Sequence, residues 1–387
     1  MTRLHSRLAI AACLAALAAA AGGCGTAVPA RPSAAAVTVP AVPLSTSVTT
    51  AAGTWATVVM GGSAAQHNNF WQLFTRPAGS TRWTLVTPPG TADNGGLVLA
   101  AGNGEALITA FRPSQYLTFT PLTDTSDLGR TWSALSPLDA ALAATPDSLA
   151  VQPATGTLLA LLGTGTVEQG NPRGTSWTTL VTARALAATQ AGRSCGLRAL
   201  TAAAYTPAGT PLLAGICSRP GVVGIFARAG RSWRAAGPAL PSAFASQTIT
   251  VLRLTSTGNE TAALLAASTG QHTVLLAASS AGDTTSWTIS SPLTIGRHPI
   301  TSASIGPGQA AAVITASGQG ALLAAGQWQH LPALPPGTAA LVPGADGTTD
   351  ALAVHRATLT IWQLASTTAS WAREQTIDVP IQYGSSG

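Results

Sequence analysis

The stretch TSDLGRTW, residues 125–132, is the part of this 387-residue chain that decides its fold. Asp127 can accept hydrogen bonds from the backbone of its own turn. Gly129 supplies a position that tolerates positive φ, and Trp132 carries a ring large enough to pack between two sheets. A Ser or Thr followed by Trp then returns along the chain, so this stretch is one of a series of similar turns.

The series is carried by seven tryptophans, which follow one another at steps of 49, 45, 56, 54, 41 and 43 residues. They are Trp83, Trp132, Trp177, Trp233, Trp287, Trp328 and Trp371. A period of roughly 40–50 residues is typical of a four-stranded propeller blade. Short apolar runs between Gly, Pro, Asn and Asp turns predict strands in the intervals. Alanine is abundant and favours helix, but we expect the period to prevail over this propensity.

The repeat predicts an all-β fold, a seven-bladed β-propeller of four-stranded antiparallel blades over residues 52–387. We place the blades at 52–92, 93–140, 141–190, 191–243, 244–297, 298–336 and 337–383. Each blade is expected to bring its Trp to the last strand. Because propellers limit exposed edges by closing the ring, we expect residues 376–383 to pair with the blade that starts at Trp55.

Residues 125–132 resemble the Asp-box, Ser/Thr-x-Asp-x-Gly-x-Thr-Trp, the BNR-type repeat of sialidase-like propellers. Other copies are reduced to Gly and Ser-Trp, as at residues 174–177 and 230–233. The resemblance implies that the box is structural and lies away from the ligand face. The structural residues it implies are Ser126, Asp127, Gly129, Thr131 and Trp132.

The N-terminus carries an export signal. Arg3 and Arg7 precede an apolar run, residues 8–21, that has the length of a signal-peptide core. It is shorter than the about 20 residues that span a bilayer. The run ends in AGGC, residues 21–24, which resembles the lipobox of bacterial lipoproteins. In that family the cysteine is linked to diacylglycerol and becomes the mature N-terminus.

This resemblance predicts a signal peptide at 1–23, lipidation at Cys24 and an anchor on the outer face of the cell membrane. Residues 24–51 are rich in Ala, Pro, Ser and Thr and are expected to form a disordered tether. The alternative is an ordinary secretory signal and a secreted protein.

Composition restricts the classes of partner and cofactor. All 19 basic residues are arginine, and removal of the signal leaves 17 against 13 acidic residues. Because these arginines form no run, we expect no nucleic-acid partner. Cys195 and Cys217 lie on strand-like segments, and in an oxidising compartment they predict a disulfide; the alternative is two buried thiols. We expect no metal site and no cofactor, because no Cys-x-x-Cys occurs and no histidine lies near either cysteine.

A sialidase-like exo-glycosidase is the alternative function. Retaining sialidases use an arginine triad, a Tyr–Glu pair and an acidic residue. Phe111-Arg112-Pro113 resembles the segment that carries the first arginine, but the spacing differs. The tyrosines are Tyr116, Tyr205 and Tyr383, and no glutamate has a recognisable context. We therefore assign no catalytic residue.

The main functional prediction is a binding or scaffolding module for a protein or carbohydrate ligand. Nine of the 19 aromatic residues lie between Trp55 and Trp132, beside polar clusters. Aromatic rings beside amides suit sugars or peptides. The candidate ligand surface comprises His67, Asn69, Trp71, Arg112 and Tyr116. The alternative is that the first two blades have a more aromatic core.

Overall fold

The structure is a computed structural model that describes residues 46–61, 69–88, 97–102, 104–111, 120–133, 141–142, 144, 146–270, 272–282, 284–344 and 347–380. Nearly all regular structure in these residues is β-strand. The signal peptide, most of the tether and the predicted lipidation site Cys24 lie outside them.

The strands form successive antiparallel meanders, in which each strand pairs with the next. The first two contain β1 (Thr46–Thr49), β2 (Gly53–Gly61), β3 (Asn69–Pro77), β4 (Thr84–Leu85), β5 (Leu97–Ala101), β6 (Leu107–Phe111), β7 (Thr120–Thr125) and β8 (Ala141–Leu142). The third and fourth contain β9 (Pro146–Val151), β10 (Leu158–Leu162), β11 (Thr166–Gly170), β12 (Trp177–Thr182), β13 (Leu197–Tyr205), β14 (Pro211–Cys217), β15 (Gly224–Ala229) and β16 (Ser232–Ala235).

The remaining meanders follow, and the fifth has an additional last strand that pairs with its third strand rather than its fourth. The fifth contains β17 (Thr248–Thr257), β18 (Glu260–Thr269), β19 (His272–Ala281), β20 (Thr288–Ile289) and β21 (Leu293–Gly296). The sixth and seventh contain β22 (Ile300–Ile305), β23 (Ala311–Thr315), β24 (Gly320–Ala324), β25 (Gln327–His330), β26 (Thr338–Pro343), β27 (Thr349–His355), β28 (Thr358–Leu364) and β29 (Ala372–Asp378).

The meanders are arranged as blades around a central channel. The first strand of each is innermost, and β5, β9, β13, β17, β22 and β26 contact one another in that order. The all-β propeller of four-stranded antiparallel sheets is therefore confirmed. Ile216 of β14 pairs with Thr250 of β17, which joins the fourth and fifth meanders into one nine-stranded sheet. The count of seven separate blades stays a prediction.

The ring closes through side chains. We predicted that the C-terminal strand pairs with the first blade, and this was wrong for the residues that the structure describes: β29 pairs with β28 of its own sheet. One apolar cluster instead combines Val58 and Phe74 of the first meander with Leu352 and Ile361 of the last. Such burial joins the two ends of the chain without a shared strand.

The repeated tryptophans pack between sheets, as expected. Six of them lie in the outermost strand or directly before it, and Trp132 lies well before β8. Trp83 is fully buried, while the other six are half-buried. The Trp132 indole donates to Val86 O at 2.9 Å and the Trp287 indole to Ala236 O at 2.8 Å, so each reaches the preceding blade.

Two predicted boundaries need correction. β1 (Thr46–Thr49) belongs to the first sheet, although we placed residues 24–51 in the tether. β8 (Ala141–Leu142) pairs with β7, although we started the third blade at residue 141. In both places the pairing partner, rather than local composition, determines the boundary.

Two short helices interrupt the strands between the third and fourth meanders: α1 (Ala183–Ala187) and α2 (Gln190–Cys195). Thr182 and Thr189 accept backbone hydrogen bonds as N-caps, and Gly196 ends α2 at φ 67°. In α1, whose sequence is ARALA, the helix propensity of alanine prevails over the strand period.

The predicted disulfide between Cys195 and Cys217 is confirmed, with Cα atoms 5.1 Å apart. Cys195 is the last residue of α2 and not part of a strand, so that part of the prediction was wrong. Cys217 ends β14. The bond therefore ties the helical insertion to the fourth meander.

Candidate functional site

A cavity of about 550 Å³ opens at one end of the central channel. It lies where the innermost strands β1, β17 and β22 end, and residues 78–81 and 306–308 form part of its rim. Its volume falls within the range of small-ligand sites, roughly 300–1,000 Å³. The channel mouth is therefore the candidate site that the described residues support.

The cavity wall is rich in hydroxyl groups and tight turns. The hydroxyls belong to Thr49, Thr50, Thr54, Ser80, Thr81, Thr255 and Thr257. The charged lining residues among those described are Arg76 and Glu260, and none of the described lining residues is aromatic. Such a wall offers hydrogen bonds from hydroxyls and turn backbone, with little net charge.

The Arg76 charge is already satisfied. Its Nη1 donates to Asp350 Oδ2 at 2.6 Å, and the guanidinium lies 5.4 Å from the centre of the Trp83 ring. Trp83 Nε1 donates to the same carboxylate oxygen at 2.7 Å, and Gln363 Nε2 donates to Oδ1 at 3.3 Å. Because Asp350 is buried, these donors offset the cost of placing its charge in the interior.

Gln375 completes the junction between the first and last meanders. Its side-chain oxygen accepts from Trp83 N at 2.9 Å, and its Nε2 donates to Trp83 O at 2.9 Å. The amide thus binds the Trp83 backbone as a neighbouring strand would. Arg76 and Gln363 line the cavity and bind Asp350, so one wall of the cavity is part of the ring closure.

The polar groups of the Asp-box-like turn form hydrogen bonds with one another. Asp127 Oδ1 accepts from Thr131 N at 2.9 Å, and Oδ2 accepts from Thr131 Oγ1 at 2.6 Å. These bonds, followed by the one from Thr125 Oγ1, lower the pKa of Asp127 to about 2. Gly129 N donates to Thr125 Oγ1 at 3.0 Å, while Ser126 is exposed. The turn closes on itself and presents no convergent polar groups.

The cavity and this turn share one face of the propeller. Thr50 Oγ1, at the cavity, donates to Gly104 O at 2.7 Å. In the same loop, Glu105 O accepts from Leu128 N at 3.2 Å. The resemblance implied a box remote from the ligand face, whereas the candidate site opens beside it.

The predicted ligand surface falls mainly outside the described residues. His67, Arg112 and Tyr116 lie outside them, and only the backbone of Asn69 is described. The remaining member, Trp71, is half-buried and packs against the core cluster that contains Trp55 and Leu73. This packing agrees with the alternative of an aromatic core.

The described residues do not assemble a glycosidase centre. Tyr205 is buried, which raises its pKa, and its hydroxyl donates to Leu158 O and accepts from Gln169 Nε2, both at 3.3 Å. Glu168 lies on β11, where burial raises its pKa. Glu260 alone brings a carboxylate to the described part of the cavity wall.

Sequence reasoning missed two arginines, one in the cavity wall and one on an innermost strand. Arg76 carries the ring closure described above. Arg253, on the innermost strand β17, donates from Nε to Ala303 O at 3.4 Å, and burial lowers its pKa to about 10. Neither stands in a motif, so no local signal distinguished them from the other arginines.

Within the described ranges, no three residues among His, Cys, Asp and Glu come together as metal ligands. None of the helices in these ranges is both long and apolar enough to cross a membrane.

Comparison with known proteins shows the fold. No protein-family model matches the chain, and no curated protein matches it. A solved structure of a protein from Lactobacillus plantarum is 12% identical, with a TM-score of 0.53, and covers 84% of this chain and 96% of that one. The chain is a β-propeller.

Two further solved structures have lower scores. YCF48 from Cyanidioschyzon merolae has a TM-score of 0.47 at 14% identity, covering 81% of this chain and 94% of that one. The WD40 β-propeller domain of Doa1 has a TM-score of 0.42 at 12% identity, covering 80% and 92%.

Proposed function

We propose that this chain is a lipid-anchored, extracytoplasmic β-propeller that acts as a binding module. Its ligand is an extended segment of a protein partner that enters the cavity at the channel mouth. The observation that carries the proposal is the cavity itself, about 550 Å³ at the end of the innermost strands. Propellers hold such a mouth in place through the surrounding ring of sheets.

The chemistry of the wall favours a peptide over a sugar. Hydroxyls such as Thr255 and Thr257, together with turn backbone, match the donors and acceptors of an extended main chain. A sugar site is expected to contain aromatic rings, and the described lining holds none. Because Asp350 offsets the charge of Arg76, this arginine leaves little field to attract an anionic ligand.

A peptide-selection experiment tests the binding proposal. Peptides selected from a random library on the purified chain should lose at least about tenfold in affinity when Ala78→Trp fills the cavity. Ala78 is exposed on the rim, so the fold should tolerate the ring. The matched control is Ala185→Trp, at an exposed position of α1.

Two results would reject a peptide site in the cavity. One is a library that yields no binding peptide at all. The other is peptide binding that survives Ala78→Trp, or that falls equally with Ala185→Trp. Equal melting temperatures of the two variants would show that loss of binding is not loss of fold.

The lipid anchor rests on the lipobox-like residues 21–24 and the tether that follows. Acyl labelling of the wild-type chain in its host should be lost in Cys24→Ala. Two or three acyl chains hold a protein firmly, whereas one chain binds only marginally. A wild-type chain that carries no acyl label and stays wholly soluble would contradict the anchor and support secretion.

A further inference from the structure

Positive charge is concentrated in one part of the chain. Between Glu168 and Glu260 there are nine arginines and no Asp or Glu. Once the signal peptide is removed, the rest of the chain has eight arginines against all 13 acidic residues. The modest overall excess therefore hides a strongly basic segment, which includes the whole fourth meander, and an acidic remainder.

Four of these arginines are gathered around the disulfide, and we call them the basic cluster: Arg184, Arg193, Arg198 and Arg219. Arg219 N donates to Cys195 O at 3.2 Å, and Ser218 N donates to Gly196 O at 2.8 Å. The Cys195–Cys217 bond fixes the same junction. Leu197, next to Arg198, pairs with Cys217 in the β13–β14 register.

The two helices bring the other half of the cluster to this junction. Ala188 N donates to Arg184 O at 3.1 Å, and the Arg193 guanidinium donates to Ala188 O. All four arginine side chains are exposed. Among the described residues, no carboxylate lies within ion-pair distance of any of them. The cluster is thus a solvent-facing group of four positive charges on backbone segments that the disulfide and these hydrogen bonds hold together.

The basic cluster and the cavity lie at opposite ends of the innermost strands. The backbone carbonyl oxygen of Tyr205, at the end of β13, accepts a hydrogen bond from the hydroxyl of Ser256. Ser256 lies between the cavity residues Thr255 and Thr257. The other end of β13 is Leu197, beside the cluster and roughly 25 Å away at the rise of a β-strand. β1 likewise runs from Thr46 towards the cavity, so its remote end is the one that follows the tether.

We infer that the basic cluster binds the anionic phospholipid headgroups of the membrane to which the chain is tethered. A flexible tether of the length of residues 25–45, as the sequence predicts, would have a root-mean-square length of about 25 Å and would keep the propeller near the bilayer. Each arginine close to an anionic surface strengthens binding by a factor of about five. The cluster orients the propeller with its cavity away from the membrane. This orientation rests on the proposed anchor, but headgroup binding does not.

Vesicle binding tests the inference without the anchor. The chain from residue 25 keeps every residue that the structure describes and lacks Cys24. We expect it to sediment with phosphatidylcholine vesicles that contain phosphatidylglycerol, to be released by high salt, and not to sediment with phosphatidylcholine alone. Replacing all four cluster arginines by glutamine should weaken binding at least about 100-fold.

The control variant makes the same change of net charge on the other face. Its four exposed arginines lie in the turns before the outermost strands of the first four meanders: Arg82, Arg130, Arg173 and Arg231. We expect their replacement by glutamine to change vesicle binding by less than about fivefold, the factor assigned to one arginine. If the four-arginine cluster variant does not fold, two double variants each test half of the cluster. One combines Arg184→Gln with Arg193→Gln, and the other combines Arg198→Gln with Arg219→Gln.

Three outcomes would overturn the inference. They are equal losses in the cluster and control variants, equal binding to both kinds of vesicle, and binding to DNA without binding to vesicles. Failure of the anchor would show differently, as an unlabelled Cys24 in the full-length chain beside intact headgroup binding by the chain from residue 25.

Discussion

The guanidinium of Arg76 and the carboxylate of Asp350 form an ion pair at 2.6 Å across 274 positions of sequence. Arg76 lies on β3 of the first meander and Asp350 on β27 of the last. The pair is therefore the polar centre of the ring closure, and the indole of Trp83 completes it by donating to the same oxygen.

Removing the charge of Asp350 should weaken the closure. Asp350→Asn keeps the shape of the side chain but leaves Arg76 without its counter-charge, and breaking a buried pair costs about 3–5 kcal/mol of unfolding free energy. Denaturant unfolding measures the loss. The control is Asp378→Asn, which changes an exposed carboxylate that accepts from Thr358 Oγ1 and should alter stability by about 0.5 kcal/mol or less. Equal losses of unfolding free energy in the two variants would contradict a stabilising role of the Arg76–Asp350 pair in the ring closure.

The stability lost on replacing a repeated tryptophan should depend on how deeply its ring is buried. Trp83→Ala removes a fully buried ring and should cost about 3–5 kcal/mol. Trp233 is half-buried, and Trp233→Ala should cost about half as much, because less apolar surface leaves contact with the core. Unfolding free energies in urea compare the two. A larger loss at Trp233 would show that this indole does more than pack.

The Asp127 turn should lose its contribution to stability in acid. The folded-state pKa of about 2 lies below the ordinary value of 3.8, so the folded chain binds this proton more weakly than the unfolded chain. The stabilisation is complete above pH about 4 and fades as pH falls towards 2. We expect the melting-temperature difference between wild type and Asp127→Asn at neutral pH to shrink at pH about 2. A melting-temperature difference that does not depend on pH would contradict the claim that the hydrogen-bonded Asp127 carboxylate stabilises the turn.

Loss of the Cys195–Cys217 disulfide should destabilise the helical insertion. Its 22-residue separation corresponds to roughly 3 kcal/mol in the chain-entropy account. The double Cys→Ser variant and the reduced wild type should lose about the same free energy, and amide exchange should rise in α2. Mass mapping that finds two free thiols in protein from its native compartment would reject the bond.

The fold could be predicted from the repeat, whereas the contacts between distant residues could not be predicted from the sequence. Nearly even steps between tryptophans and a complete turn at residues 125–132 indicate blades, because both features can be read directly from the sequence. Arg76 and Asp350 meet only through ring closure, and no spacing in the chain signals their pairing. Arg193 and Arg219 appear scattered in sequence, yet the disulfide and two short helices bring their segments together. The helices themselves were missed because the strand period outweighed the local preference of alanine.

Hydrogen exchange on the chain, with and without a library-selected peptide, tests the central claim most directly. The account predicts protection at the cavity wall, in residues 49–54, 255–262 and 305–308. Protection confined to residues 62–69 and 112–119, which contain His67, Asn69, Arg112 and Tyr116, would contradict it and return the site to the surface predicted from the aromatic residues.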